Sequence, residues 1–459
     1  MLNKRISKEF KKIIGDRWLL ESRVDLLSYS YDGYIFEFLP DAVVVPEDAH
    51  QISEILRIAN SEGISVVPRG AGTNISGCAV ARKGGIILAF HRMNKIIEID
   101  RENRCAVVEP GVINAELQKM VEGFGLMYPP DPASMFVSTL GGNVALNAGG
   151  PRGVKYGVTK DYLMGLELVL PNGKVIMCGG KTFKNVSGYD LKSLICGSEG
   201  TLGIITKIIL KLIPLPHSRA TLQAIYDDVE KASKTVSSII AERIVPVTLE
   251  LMDRVVLQQI QGYGGAQFPV GADALLLIEV DGEGELVKTQ AEKIKKFCLK
   301  MGAMEVEKAE DRDGIERLWQ ARRTAFAAVA RLRPNIIVED ATVPVAHIPQ
   351  MVNKIKEISK KYLLKIGVLA HAGDGNLHPL IMTDIRDKEE MRRVEDAMNE
   401  LFDETISLGG TLTGEHGIGI SKKGFIYKEF KEEHIELMRG IKRVFDPKNI
   451  LNPGGYLES

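Results

Sequence analysis

ISVVPRGAGTNISG, residues 64–77, decides how the first half of the chain is read. Its β-branched start reads as a buried strand that opens at once into glycines 70, 72 and 77, with Thr73 and Asn74 among them. Such a loop leaving a strand lets several backbone N–H groups converge on a phosphate. It matches neither the dinucleotide fingerprint GxGxxG nor a Walker A loop. Upstream, DAVVVP (41–46) reads as another strand. Between the two, EDAHQISEILRIANSEG (47–63) sets Ile52, Ile55, Leu56 and Ala59 on one helical face and closes on Gly63.

Working outward, strand-like runs continue through GGIILAF (84–90), KIIEID (95–100) and CAVVEPG (105–111), with a helix expected from about residue 114 to 123. The densest glycine stretch follows, with glycines at 141, 142, 149, 150, 153 and 157. So many mark a backbone that closely approaches something flat or anionic, or a contorted connection. LELVLPNGKVI (166–176) reads as a hairpin turning at Asn172 and Gly173, and a third cluster, KNVSGYDLKSLICGSEGTLGIITKIIL (184–210), ends this half near Pro214.

Composition narrows the class. The 459 residues are 45% hydrophobic and 26% charged, with a net charge of −1, which argues against nucleic-acid binding. Five cysteines without a CxxC pair point to reduced thiols rather than disulfides or an iron–sulfur site. The N-terminal MLNKRISKEFKKIIG reads as an amphipathic helix without the apolar stretch of a signal peptide. No apolar run reaches membrane-spanning length, so a cytoplasmic location and no integral membrane segment are expected.

Chemistry concentrates in HAGDGNLHP (371–379), set between the apolar runs KIGVLA and LIM. Gly373, Asp374 and Gly375 form a turn between two strands, a geometry that aims His371 and His378 at one point. GEHG (414–417) adds Glu415 and His416. Two histidines and a glutamate make a common first shell for a divalent metal that keeps positions open for substrate. The helical HExxH spacing of zinc proteases is absent.

The three glycine clusters together resemble the flavin domain of the vanillyl-alcohol oxidase and para-cresol methylhydroxylase superfamily. With HAGDGNLHP, GEHGIG and DPKNILNPG (446–454), the chain is similar to the branch of glycolate oxidase large subunits and D-lactate dehydrogenases, with D-2-hydroxyglutarate dehydrogenases close by. The resemblance implies an α+β fold: a two-part PCMH-type FAD-binding domain with an inserted antiparallel-sheet cap whose helices lie on one side. Boundaries are expected at 1–214 for the FAD domain, 215–407 for the cap and 408–459 for a C-terminal return.

The same resemblance implies the site. Arg69, Gly70, Ala71, Gly72, Thr73 and Asn74 would hold the FAD pyrophosphate through backbone amides, and Pro68 just before them is also expected to bind the cofactor. Ser138, Thr139, Gly141, Gly142, Asn143, Gly149, Tyr156 and Gly157 would line the ribityl chain and isoalloxazine, Glu199, Gly203 and Ile204 would meet the adenine side, and Pro132 and Asn452 are also expected to bind the cofactor. FAD is expected to be non-covalent, because Thr73 stands where tethered relatives often carry histidine.

In LWQARRTAF (318–326), Arg322 matches an arginine that binds the substrate carboxylate. Phe326 and Val338 stand where hydroxyglutarate enzymes present polar groups, which favours a small monocarboxylate. His371, His378 and Glu415 would hold zinc, manganese or iron(II), His416 would be the general base, and Asn376 would bond substrate. Asp374 would shape the loop or support a ligand. A small D-2-hydroxy acid such as D-lactate or glycolate would lose hydride to the flavin, and electrons would pass to an electron-transferring flavoprotein or an iron–sulfur subunit. The competing readings are a D-2-hydroxyglutarate-type dehydrogenase, a flavin electron-transfer subunit without substrate chemistry, and a metal-dependent hydrolase, which would leave the glycine clusters unexplained.

Overall fold

The computed structural model describes residues 2–263 and 266–458, and the chain divides into two compact units. The first comprises Met1–Gly149, Val158–Leu215 and Glu415–Ser459; the second comprises Gly150–Gly157 and Pro216–Gly414. The boundary expected after Ser407 therefore falls inside the second unit, whose last residue is Gly414.

The first unit contains two sheets. Strands β1 (Leu19–Leu20), β2 (Ala42–Val44), β3 (Val66–Arg69) and β4 (Ile86–Ala89) align in the order β1-β2-β4-β3, with β4 parallel to both β2 and β3. The helix Ala49–Glu62 joins β2 to β3. Asp48 caps its start, and Gly63 ends it at φ +67°, a conformation glycine adopts without steric cost. Its buried face (Ile52, Ile55, Leu56 and Ala59) meets Ile6, Phe10 and Ile14 of the N-terminal helix Lys4–Ile14 in one core.

The other sheet is antiparallel. It runs β5-β6-β10-β8-β9 from β5 (Ile96–Asp100), β6 (Cys105–Val108), β8 (Leu163–Val169), β9 (Val175–Gly179) and β10 (Ile204–Lys211), while β7 (Leu126–Met127) pairs with β11 (Ile213–Pro214). The β8–β9 hairpin turns at Asn172 and Gly173 as the sequence predicts.

The C-terminus closes this unit. After the helix Glu432–Phe445, Leu451 bridges Val66 beside β3. Lys442 is buried there with all three donors used, on Thr201 O (2.7 Å), Asp446 Oδ2 (2.6 Å) and Leu451 O (2.8 Å).

The second unit is built on one antiparallel sheet: β12 (Ser218–Tyr226), β13 (Thr248–Asp253), β14 (Ala274–Gly282), β15 (Glu305–Ala309), β16 (Asn335–Val338), β17 (Ala341–Thr342), β18 (Lys365–His371) and β19 (Asn376–Thr383). Their order is β15-β12-β14-β13-β18-β19-β16, with β17 also on β19. Helices Arg254–Gly262 and Arg312–Val329 cover one face through Met252, Leu275, Leu277 and Leu369. The alternate residues Leu249, Leu251, Leu276 and Ile278 are buried too, so both faces are covered, not one as expected.

The short helix Gly153–Tyr156 belongs to this unit. Lys155 pairs with Asp281 at the end of β14, and the Tyr156 hydroxyl donates to Asp281 Oδ2 at 2.8 Å. Helix Arg312–Val329 is anchored by two polar bonds one turn apart, from Trp319 Nε1 to Glu279 Oε2 (3.0 Å) and from Arg322 Nε to Glu250 Oε2 (2.6 Å). Among the described residues, Trp319→Phe leaves buried Glu279 with the Thr221 hydroxyl (2.7 Å) as its side-chain donor. We expect it to lower unfolding stability by about 1–3 kcal/mol, the cost of one lost bond to a charged group, measurable as a lower urea midpoint. An unchanged midpoint would make the tryptophan a packing residue only.

Among the described residues, no helix is long and apolar enough to cross a membrane.

Candidate active site

In the second unit, β18 and β19 form the hairpin that HAGDGNLHP predicts, with Gly375 at φ +87° in its turn. Residues directly opposite one another in an antiparallel ladder share a face, as do residues two apart. Glu250 on β13 lies opposite His371, which lies opposite Asn376, and this gives one polar row across three strands. Met252, Leu369 and His378 form the neighbouring row on the same face. The sheet register therefore brings the two imidazoles together, with ring centroids 5.0 Å apart and planes at 86°.

Glu250 is completely buried and takes one donor on each oxygen, His371 Nδ1 on Oε1 at 2.6 Å and Arg322 Nε on Oε2 at 2.6 Å. Burial pulls its carboxyl pKa upward, but its contacts with His371 and Arg322 outweigh that and hold it below the ordinary value. With Nε committed, Nη1 and Nη2 of Arg322 make no bond among the described residues and present an end-on fork.

Asn376 takes the Thr342 hydroxyl on Oδ1 (3.1 Å), which leaves Nδ2 as a donor. Asp340, also buried, lies 3.9 Å from His378 Nδ1 and receives Thr413 Oγ1 (2.5 Å) and Gly414 N (2.9 Å) on its other oxygen. Asp374 shapes the loop, taking the Asn376 amide at 3.4 Å. Phe326 follows Arg322 by one helical turn and is 50% exposed, while Val338 is half-buried in β16.

In the first unit, the amides of residues 71 to 74 donate to no acceptor among the described residues. Asn74 turns its side chain elsewhere. Its Oδ1 accepts from Ser76 N and Cys78 N (both 3.0 Å), and its Nδ2 donates to the His416 carbonyl at 3.0 Å, joined there by Ser76 Oγ at 2.8 Å. Arg69 folds back beneath the loop, with Nη1 on Ala79 O (3.0 Å) and its guanidinium over Tyr29. Pro68 is half-buried in β3, and Thr73 stays half-buried in the loop.

Ser138 Oγ and Asn143 Nδ2 are buried without a hydrogen-bond partner among the described residues, on either side of Thr139, which caps the following helix on Gly142 N. Orphaned buried polar atoms are rare, and together with the row of open amides they suit the phosphates and polar edge of a flavin dinucleotide. Pro132 is buried nearby and accepts from Met135 N at 2.8 Å.

Other expected cofactor residues have packing duties. A side chain on Gly141 would meet Pro110, and one on Gly203 would meet Leu168 just ahead of fully buried Ile204. Glu199 takes Ile418 N (2.8 Å) and Gly419 N (3.0 Å), and the Asn452 amide donates to Glu199 O at 2.7 Å. Burial raises the Glu199 pKa, and these amides pull against it. Gly149 leaves room for the Glu415 carboxylate, which would stand 2.7 Å from an added Cβ. His416 Nε2 lies 3.7 Å from Glu415 Oε1. Tyr156 and Gly157 lie in the second unit, and Tyr156 is engaged with Asp281.

Sequence reading missed Glu250, Asp340 and Glu279. For Glu250 and Glu279 the signal was a carboxylate with apolar neighbours on both sides within VTLELMD and ALLLIEVDG, since a carboxylate buried in a sheet needs a partner.

A family model described as "FAD linked oxidases, C-terminal domain" matches residues 215–456, and an "FAD binding domain" model matches 40–179. "Glycolate oxidase subunit GlcD" of Bacillus subtilis is 48% identical over 455 residues, covering 99% of this chain and 97% of its own. A "D-lactate dehydrogenase" of Archaeoglobus fulgidus is 36% identical over 421 residues, with 90% of each chain covered. Among solved structures, p-cresol methylhydroxylase with substrate bound superposes with a TM-score of 0.82 at 20% identity, covering 98% of this chain and 96% of that one. It shares the fold.

Proposed function

The chain belongs to the FAD-linked oxidases, in the branch of glycolate oxidase subunits and D-lactate dehydrogenases, and on that premise we propose that it oxidises a small D-2-hydroxy acid, D-lactate or glycolate, to the 2-oxo acid. The observation that carries this reading is the polar row Glu250–His371–Asn376 with Arg322 fixed above it. A flavin subunit without substrate chemistry has no use for such a row.

Bound FAD supplies a hydride acceptor, and a bound divalent ion supplies Lewis acidity toward the substrate hydroxyl. The FAD would lie on the amides of residues 71–74 and the Ser138 and Asn143 side chains. His371 and His378 would be the imidazole donors, and by the sequence resemblance Glu415 would be the carboxylate that completes a two-histidine, one-carboxylate set suited to zinc, manganese or iron(II).

The protein's own groups do the rest. The Arg322 fork takes the substrate carboxylate in two parallel charge-assisted bonds. Asn376 Nδ2 adds a donor beside it. His416 Nε2 accepts the hydroxyl proton, with its backbone held by Asn74 and Ser76. Exposed Phe326, on the same helical face as Arg322, offers nothing polar to a second carboxylate, which favours a monocarboxylate over 2-hydroxyglutarate. Electrons then leave to a protein acceptor.

A screen of D- and L-2-hydroxy acids with an artificial dye tests this reading. Turnover of D-lactate or glycolate well above D-2-hydroxyglutarate supports it, and no turnover of any hydroxy acid by FAD-loaded protein defeats it. Because Thr73 occupies the position of a tethering histidine, trichloroacetic acid is expected to release all flavin to the supernatant. Fluorescence retained on the denatured band would show a covalent link.

A further inference from the structure

We propose that Glu250 is a positioning residue that sets the carboxylate fork of Arg322 and the ligating nitrogen of His371 together, an inference that rests on the metal and substrate roles given above. Its two oxygens each receive one donor, at equal 2.6 Å distances, in a fully buried setting. An ionised carboxylate only accepts, so the proton of a neutral His371 sits on Nδ1 and the lone pair on Nε2. The same carboxylate occupies Arg322 Nε and thereby leaves the Nη pair as the face offered to substrate. One group thus fixes which nitrogen of the histidine binds an ion and which edge of the arginine binds an anion.

Glu250→Gln separates these two duties for a chemical reason. Glutamine has one acceptor and one donor where glutamate has two acceptors. Arginine cannot accept a hydrogen bond, so the amide oxygen must face Arg322 and the NH2 must face His371. His371 then has to accept through Nδ1, which moves its proton to Nε2, the nitrogen an ion needs. The substitution is therefore expected to leave the carboxylate fork in place and to damage the ion site. A merely structural role for Glu250 would weaken both together.

The test uses FAD-loaded enzyme freed of metal by chelation and dialysis. Zn(II) affinity is measured by chelator competition, and propionate binding by its perturbation of the flavin spectrum. Zn(II) affinity of Glu250→Gln is expected to fall about 10–100-fold, the usual effect of losing such a supporting partner, with propionate affinity nearly unchanged. Wild-type Zn(II) affinity in the variant, or equal loss of both ligands, overturns the proposal. A wild-type enzyme that takes up no Zn(II) defeats the metal reading itself, and this is seen before any variant is made.

Should Glu250→Gln not fold, the wild type still decides by nitrogen-15 NMR, with His371 assigned through His371→Gln. A proton on His371 Nδ1 supports the assignment, and a proton found only on Nε2 overturns it.

Discussion

His416→Ala is expected to lower kcat for a D-2-hydroxy acid by about 10²–10⁴-fold, the range general acid–base catalysis contributes, while flavin and metal content stay at wild-type levels. The imidazole can be removed without disturbing its surroundings, because what Asn74 and Ser76 hold is the backbone carbonyl of residue 416, which alanine keeps. KM is expected to change little, since the Arg322 fork and Asn376 are untouched. His378→Ala and prolonged chelation are expected to fail differently. Both abolish turnover with FAD still bound, but a divalent ion restores only the chelated protein. Turnover of His416→Ala close to wild type would remove the general-base assignment. Full activity in protein with no stoichiometric metal would hand the histidines over to direct substrate bonding.

Arg322→Ala is expected to reduce kcat/KM by about 10²-fold, equivalent to roughly 2–3 kcal/mol for a charge-assisted contact, mainly through KM. It also strips Glu250 of one of its two donors, so part of the loss would be structural. Arg322→Lys separates the effects. An ammonium still neutralises Glu250 but has no planar fork, so kcat/KM falls while the thermal midpoint stays near wild type. Wild-type kinetics in both variants would mean that the arginine serves only to anchor its helix.

Much of this architecture was legible because it is written locally. Turn chemistry marked the loop at 70–77, the Asn172–Gly173 hairpin and the Gly375 turn, and helical periodicity marked residues 49–62. The pairing of His371 with His378 followed from a hairpin of that length. What local pattern could not give was the use of a side chain by a distant partner. Asn74 looked like part of a phosphate loop, yet its amide serves the carbonyl of a residue 342 positions away. Glu250 read as one polar residue in an apolar strand, because neither Arg322 nor His371 is near it in sequence. Helices on both sides of the sheet escaped notice because β13 is buried throughout and β14 over residues 274–280, so neither shows an alternation to read.

The segment Gly150–Gly157 has a thermodynamic consequence of its own. It leaves the first unit, docks Lys155 and Tyr156 on Asp281 of the second, and returns. In effect it is a ligand of the cap tethered at both ends, and its docking draws on a high effective concentration rather than on intrinsic affinity. Residues 216–414 expressed alone would fold without their own internal ligand, and supplying the eight-residue peptide in solution would restore little of the lost stability.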